Sequence, residues 1–303
     1  MSNVRAREPA LSLAGTTLAE AQRRATEALR RRPSVDAPVD ARRLLLQALG
    51  CDAITLVTSP ERMLSPAEAD VYGTLVERRL QGEPVSRIAG RRGFYGREFV
   101  VTSATLDPRP ESETVIEAAL SAVRDAYPLG RGLDILDIGT GTGCLLLTLL
   151  AELPKATGTG VDPSAAALAV AGENARRLGV ADRVRWVEGR GFASLRQSFG
   201  LIISNPPYIA SGDIGGLDDE VKCFDPLLAL DGGADGLVIY REIADALTAI
   251  AGPAEIVLEV GDGQAGDVAA LMRSTVGPKR VEAVAVHRDM AGKPRCVAMK
   301  LLN

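Results

Sequence analysis

Asn205-Pro206-Pro207-Tyr208 follows directly on the apolar run Leu201-Ile202-Ile203-Ser204. The run reads as a buried strand, so the tetrapeptide sits where a strand ends and the chain must turn. Open α/β sheets bind their ligands at that edge, outside the carboxyl ends of the strands. Asn205 brings one amide oxygen acceptor and two N–H donors. Each proline holds φ near about -65° and lacks a backbone donor, so this stretch presents rigid carbonyls without competing N–H groups. Such a wall of acceptors suits an NH₂ group that must be held still while its nitrogen reacts. Asn-Pro is also a common turn dipeptide, and taken alone the tetrapeptide is compatible with a plain strand-ending turn.

A second group of residues precedes it. Leu133-Asp134-Ile135-Leu136-Asp137-Ile138 runs straight into Gly139-Thr140-Gly141-Thr142-Gly143, and a helix begins near Cys144. Glycines there let the backbone pass close to a ligand in conformations that other residues resist. A dinucleotide fingerprint wants a small residue at its sixth place, where Cys144 or Leu146 stands, so NAD is disfavoured. The absence of G-x-x-x-x-G-K-[ST] excludes an ATP-type phosphate loop. Asp162 ends the next apolar strand, 25 residues after Asp137. A carboxylate in that position can accept both hydroxyls of a ribose, a reading favoured over a cap for the helix that follows Pro163 because the glycine loop precedes it in the proper order.

Other chemistry is poorly supplied. His287 is the only histidine and lies in an alternating, strand-like segment, so a histidine-dependent nucleophile is not expected. Cys51, Cys144, Cys223 and Cys296 are far apart and form no C-x-x-C pair. That spacing speaks against a zinc site and against a disulfide scaffold, and reduced cytoplasmic thiols are expected. A net charge of -4 is not the footprint of a general nucleic-acid binder. No apolar stretch is long enough for a membrane span, and the first residues lack the apolar core of a secretion signal.

The elements that must position these residues divide the 303-residue chain in three. Residues 1–85 read as a helical domain: Thr17-x-x-Glu20 and Ser65-Pro66-Ala67-Glu68 are capping boxes, helices follow each, and another covers Arg42 to Leu49 before Gly50. Arginine pairs stud these helices among nearly balancing acids, the pattern of solvated faces. Residues 86–108, with Phe94, Tyr95, Phe99, Val100 and Val101 around Gly93 and Gly96, read as a β-hairpin linker. In 109–303, strands at 133–138, 157–161, 183–187, 199–204, 255–260, 281–286 and 295–301 alternate with helices at 112–126, 144–152, 164–178, 238–251 and 265–275. Alternation implies a parallel doubly wound sheet, with the last two strands paired antiparallel across a short turn.

The acidic strand end, the three alternating glycines, Asp162 and the later Asn-Pro-Pro-Tyr resemble class I S-adenosylmethionine-dependent methyltransferases acting on amide or amine nitrogen. The chain more specifically resembles the protein-(glutamine-N5) methyltransferases of the peptide-chain release factor type. That likeness is carried by Glu83-Pro84-Val85 through Gly90, Phe94-Tyr95, Arg109-Pro110-Glu111-Ser112-Glu113, Phe224-Asp225-Pro226, Gly232-Gly233, Asp235-Gly236-Leu237, Tyr240-Arg241, Leu258-Glu259-Val260-Gly261 with Gln264, and Arg288-Asp289 with Arg295. Three positions depart from the family pattern. Arg190-Gly191, with Phe192 next, replaces an Asp-aromatic pair that reaches the adenine; Ser112 replaces the usual Thr; and Asp107 stands where an apolar residue is commoner.

The resemblance implies an α/β class I fold, a Rossmann-like seven-stranded sheet with a small N-terminal helical domain that grips the substrate protein. It implies S-adenosylmethionine as cofactor, held by Asp137, Gly139, Thr140, Gly141, Thr142, Gly143, Asp162, Phe192 and Asn205, and no metal. The catalytic set is Asn205, Pro206, Pro207 and Tyr208, with Arg109 and Glu111 shaping the substrate pocket. The Asn205 side-chain oxygen and the Pro206 carbonyl accept the two protons of a glutamine amide, and Tyr208 walls the glutamine. The implied partner is a peptide-chain release factor in the cytoplasm, modified at the glutamine of its GGQ motif, with no direct nucleic-acid or membrane partner and a monomeric enzyme. Alternatives remain a ribosomal-protein glutamine, adenine-N6 of nucleic acid, and a catalytically silent binding module.

Overall fold

A computed structural model describes residues 11–32, 36–190, 198–250 and 252–303. The contacts cluster into two compact units, one ending at Gly90 and one running from Arg91 to Asn303.

The first unit is helical: α1 (Leu18–Leu29), α2 (Ala37–Leu49), α3 (Ala53–Thr58), α4 (Pro66–Leu80) and α5 (Val85–Ala89). Leu18, Ala21, Ala25 and Leu29 bury one face of α1 against Leu44 and Leu45 of α2 and Tyr72 and Val76 of α4. The Ser65–Glu68 capping box forms in full. At Thr17 only half of one forms. The Thr17 hydroxyl accepts from the Glu20 N–H, but the Glu20 carboxylate is taken by Arg23 and Arg24. Helix α2 begins at Ala37 rather than Arg42, because Asp36 caps it and Pro38 occupies a first-turn position where no N–H is needed. Asp40 and Arg79 form a buried ion pair of 2.7 Å between α2 and α4. The short helices α3 and α5 left no periodic trace in the sequence.

In the second unit a hairpin comes first, β1 (Arg91–Phe94) against β2 (Arg97–Val100). Tyr95 and Gly96 turn it with φ of 48° and 69°. Helix α6 (Glu113–Val123) leads to β3 (Asp134–Ile138), α7 (Cys144–Glu152), β4 (Thr157–Asp162), α8 (Ala165–Arg177), β5 (Val184–Glu188) and β6 (Leu201–Ser204). The chain continues through α9 (Asp219–Phe224), α10 (Val238–Leu247), β7 (Ala254–Glu259), α11 (Ala265–Val276), β8 (Val281–Arg288) and β9 (Pro294–Leu301). The seven strands β3 to β9 form one sheet in the order β5-β4-β3-β6-β7-β9-β8. Strand β9 slots between β7 and β8, antiparallel to both.

Alternate side chains of each central strand serve opposite faces, as a pleat requires. Leu136, Ile202 and Ile256 pack under α10 and α11 with Tyr240, Ile243 and Met272. Ile135, Leu201, Ile203 and Val257 pack with α6 and α7 through Val115, Ile116, Leu146 and Leu150. Both faces being covered explains why these strands read as unbroken apolar runs. The order reverses between β3 and β6, so their carboxyl ends open a crevice. No helix among the described residues is long and apolar enough to cross a membrane.

Candidate active site

At the end of β3 the glycine loop doubles back on the neighbouring strand. The N–H groups of Gly139 and Thr140 both donate to the Val161 carbonyl at 2.8 and 3.0 Å. Gly139, Gly141 and Gly143 all have φ in the left-handed region, at 72°, 55° and 79°, where a side chain is strained. At Gly143 packing adds a second demand, since a Cβ would press on Leu147 and Ala171. At Gly139 a Cβ would meet open space, so the loop leaves its backbone approachable there.

Two carboxylates frame this loop. Asp162 accepts from Gly141 N–H through Oδ2 and from Ser164 N–H through Oδ1, both at 2.9 Å. Ser164, not Asp162, caps α8, accepting from the Ala167 N–H. Asp162 therefore ties the glycine loop to the start of that helix. Asp137 is almost wholly buried and its Oδ2 accepts from the Thr140 hydroxyl at 2.6 Å. Its Oδ1 makes no hydrogen bond of good geometry among the described residues, although the Leu146 N–H at the start of α7 also acts to lower this carboxyl. Burial pushes the Asp137 carboxyl up to about 7; the Thr140 hydroxyl pulls it down and the Asp162 charge adds to the rise. A buried acceptor without a donor is costly unless a ligand completes it.

Asn205 leaves β6 beside this loop, and its Nδ2 donates to the Ser112 Oγ at 3.2 Å. Pro206 is buried, while Pro207 and Tyr208 are partly so. The backbone of Pro207 and Tyr208 is packed by three glycines from two later loops. A Cβ on Gly232 would lie 2.8 Å from the Pro207 carbonyl, and one on Gly261 3.0 Å from the Tyr208 ring. At Gly236, with φ of 73°, a Cβ would collide with the Tyr208 carbonyl. Gln264 reaches back from α11, donating through Nε2 to that carbonyl at 3.0 Å and accepting from the Gly261 N–H at 3.0 Å. These glycines and Gln264, scattered along the sequence, clamp one tetrapeptide. Gly236→Ala is expected to cost at least about 1–2 kcal/mol from the left-handed backbone alone, and to lower kcat by displacing Tyr208. A thermal melt and a rate equal to wild type would overturn that.

One cavity of about 300 Å³ joins the groups. Gly139 to Thr142 of the glycine loop, Asp162, Arg109, Ser112, Asn205, Pro206 and Pro207 all line it. Asp107 and Arg190, the two positions that depart from the family pattern, also line it. Arg109 is held by Asp225 at 2.6 Å. Four expected residues lie outside the cavity lining: Asp137 is buried beneath the glycine loop and Gly143 packs against Leu147, Glu111 is exposed on the turn that precedes α6, and Tyr208 packs with the core beneath α10 and α11. Burial pushes the Tyr208 phenol up to about 12, with Glu259 adding to the rise, so it stays protonated at neutral pH. Phe192 falls outside the described residues. Glu259, at the end of β7, received no separate role in the sequence, yet it is buried, and the neighbouring Ser112 hydroxyl opposes the rise that burial causes in its carboxyl.

A sheet that switches at a glycine loop, with an acid on the next strand and Asn-Pro-Pro-Tyr on the strand across the switch, defines a class I S-adenosylmethionine-dependent methyltransferase. The open backbone at Gly139 and the Asp162 carboxylate, both lining the cavity, with the buried Asp137 carboxyl beneath the loop, fit an adenosyl amino acid. Family models agree: residues 20–90 match the PrmC N-terminal domain and residues 119–216 the methyltransferase small domain. The release factor glutamine methyltransferase of Bradyrhizobium diazoefficiens is 42% identical over 291 residues, 94% of this chain and 95% of that one. That of Rhodospirillum rubrum is 43% identical over 260 residues, 85% and 77% of the two chains. Among solved structures, the release factor-specific protein-(glutamine-N5) methyltransferase of Alicyclobacillus acidocaldarius is 26% identical, covering 65% of this chain and 94% of that one, with a TM-score of 0.40. The human METTL16 catalytic domain, 16% identical over 67% of this chain and 74% of that one at a TM-score of 0.52, shares the fold alone. The chain belongs to the release factor glutamine methyltransferase family.

Proposed function

We propose that this enzyme transfers a methyl group from S-adenosylmethionine to the side-chain amide nitrogen of a glutamine in a peptide-chain release factor, the glutamine of the GGQ motif. When bound, the cofactor supplies a methyl group on a cationic sulfur. The glycine loop from Gly139 to Gly143, with Thr140 and Thr142, lets backbone approach that ligand; Asp162 receives its ribose hydroxyls, and Asp137 offers the buried Oδ1 to a donor. The amide nitrogen is a poor nucleophile because its lone pair is delocalised. Orientation is then the main lever, and a well-placed pair can contribute about 7–11 kcal/mol.

The observation that carries this assignment is the set of the Asn205 amide. Its Nδ2 is committed to Ser112, which leaves Oδ1 as the end that meets a ligand. Asn205 Oδ1 and the Pro206 carbonyl accept the two protons of the substrate amide and favour the positive charge that develops on its nitrogen. Asn205 and Pro206 hold the amide nitrogen as it takes the methyl group and until it loses one proton to solvent, with S-adenosylhomocysteine left as the product. Arg109, braced by Asp225, shapes the mouth of the pocket with Glu111 on the adjoining turn.

The domain limits carry the same division of labour. Residues 1–85 grip the substrate protein, residues 86–108 link, and 109–303 hold the chemistry. Exposed Ile54 and Val57 on α3, with Met63 and Val71 nearby in sequence, support a protein-binding role for the helical unit. Cysteines present as thiols support action in the reducing cytoplasm. Incubation with labelled cofactor and purified release factors, ribosomal proteins and DNA tests the assignment. Label is expected on a release-factor glutamine and not on its Gln→Ala variant. Label confined to a ribosomal protein or to DNA overturns it.

A further inference from the structure

Three chain segments meet at Asn205. The parallel pairing of β6 with β7 ends at Ser204 and Leu258, so Asn205 and Glu259 leave adjacent strand ends side by side. Ser112, buried at the start of α6, sits between them. Its Oγ accepts from Asn205 Nδ2 at 3.2 Å, and the Glu259 carboxyl lies beside it, close enough for the Ser112 hydroxyl to oppose the rise that burial causes. Glu259 Oε2 is buried with no hydrogen-bond partner among the described residues. A carboxylate is an acceptor only. Ionised Glu259 therefore draws the Ser112 hydroxyl proton toward itself, which turns an oxygen lone pair toward Asn205. An Asn amide is nearly symmetric in shape, so nothing but its partners decides which end faces the cavity. We infer that Glu259, acting through Ser112, is a positioning residue that locks the Asn205 amide with its oxygen toward the substrate nitrogen.

The lock has a polarity. Ionised Glu259 accepts from Ser112, whereas protonated Glu259 can donate to it, freeing the Ser112 proton to point at Asn205 and favour the flipped amide. Burial pushes Glu259 up to about 7, with the Ser112 hydroxyl and Arg295 opposing the rise. The charged and titratable groups around it are Arg109 and Glu111 on the turn before α6, Arg295 and Cys296 on β9, Tyr208 after β6, Tyr240 on α10 and Cys144 on α7. Tyr208, Cys296 and Cys144 are each pushed to about 12 and Tyr240 lies well above 10, so these stay protonated at neutral pH. The rate limb near neutrality that depends on Glu259 rises with pH.

This inference rests on the activity proposed above, and the test separates the two. Wild type, Ser112→Ala, Ser112→Thr and Glu259→Gln are assayed for methyl transfer to a release factor across pH 6 to 9, with cofactor affinity measured by calorimetry. Ser112→Ala is expected to lower kcat about 10–100-fold, the scale of losing one well-placed hydrogen-bonding group. KM for the protein substrate and cofactor affinity change less than about threefold, and Ser112→Thr recovers most of the rate. Glu259→Gln, which keeps the shape, is expected to lower kcat and abolish the limb near pH 7. A wild-type rate in Ser112→Ala, no recovery in Ser112→Thr, or an unchanged pH profile in Glu259→Gln overturns the inference. A parallel measurement needs no substrate. In protein labelled with ¹⁵N-asparagine, the Asn205 side-chain NH₂ signals, assigned by their loss in Asn205→Ala, are expected to titrate near pH 7 and to stop doing so in Glu259→Gln. Signals that ignore pH overturn the lock even if the methyl acceptor proves to be some other molecule, and an inactive wild type with titrating signals overturns only the activity.

Discussion

Asn205→Ala is expected to lower kcat by about a thousandfold while cofactor affinity stays within a few-fold of wild type. The substitution removes the one side-chain acceptor that can reach the reacting amide from the strand end. It leaves the Pro206 carbonyl, which belongs to the backbone, and it leaves the glycine loop untouched. Removing a single group preorganised for transition-state charge commonly costs about 10²–10³ in kcat. Here the loss lies at the upper end, because the same side chain also fixes the orientation of a weak nucleophile. A thousandfold corresponds to about 4 kcal/mol. Single-turnover methyl transfer to a release factor, beside calorimetry with S-adenosylmethionine, measures both quantities. Turnover near wild type sinks the role given to Asn205, and loss of cofactor binding in step with the rate reassigns it to the cofactor pocket.

Asp137→Asn is expected to stabilise the cofactor-free protein at pH 8 and to weaken cofactor binding about 10–100-fold. The Asp137 carboxyl is raised from 3.8 to about 7, first by burial. Between those values the native state keeps a proton that the unfolded chain has released. Stability therefore falls as pH rises through this window, by about 1.4 kcal/mol per unit, and levels off once native Asp137 ionises. This residue alone removes up to about 4 kcal/mol between pH 4 and 8. The neutral amide escapes that loss, so its melting temperature at pH 8 exceeds wild type by several degrees. Glu259 contributes in the same sense, so the informative quantity is the difference between the two melting curves against pH. Parallel curves, or a variant that melts below wild type at pH 8, contradict the assignment. The expected loss of binding reflects the usual exchange at a ligand site, where a group costly to the empty protein is useful to the complex.

Much of the fold was legible because its signals are local. Buried strands read as apolar runs, and β3, β4, β6 and β7 fall within a few residues of their expected positions. Ser65 and Glu68 cap α4 as their spacing demands. Gly50 ends α2 in the left-handed conformation that only a glycine adopts without strain. Where local signals failed, a competing interaction won. Thr17-x-x-Glu20 has the spacing of a full capping box, yet two arginines one turn on outbid the backbone for Glu20. Asp162 has the place of a helix cap, yet Ser164 does the capping and Asp162 ties the glycine loop instead.

The candidate site divides in the same way. Asn205, Asp137, Asp162 and the three glycines are each marked by what stands next to them in the chain, a strand end or an alternating motif. Spacing and residue type suffice for these, since strand period and turn chemistry act over a few residues. The partners of Asn205 carry no such mark. Ser112 lies 93 residues away from it, and Glu259 comes from another strand. The insertion of β9 between β7 and β8, and the closing of Gly232, Gly236, Gly261 and Gln264 around Pro207 and Tyr208, are of the same kind. By itself the amino-acid order determined which groups end each strand and what chemistry those groups can do. Only the tertiary structure decided which of them touch, because strand order and helix packing, not spacing along the chain, bring the ends of β6 and β7 against the start of α6.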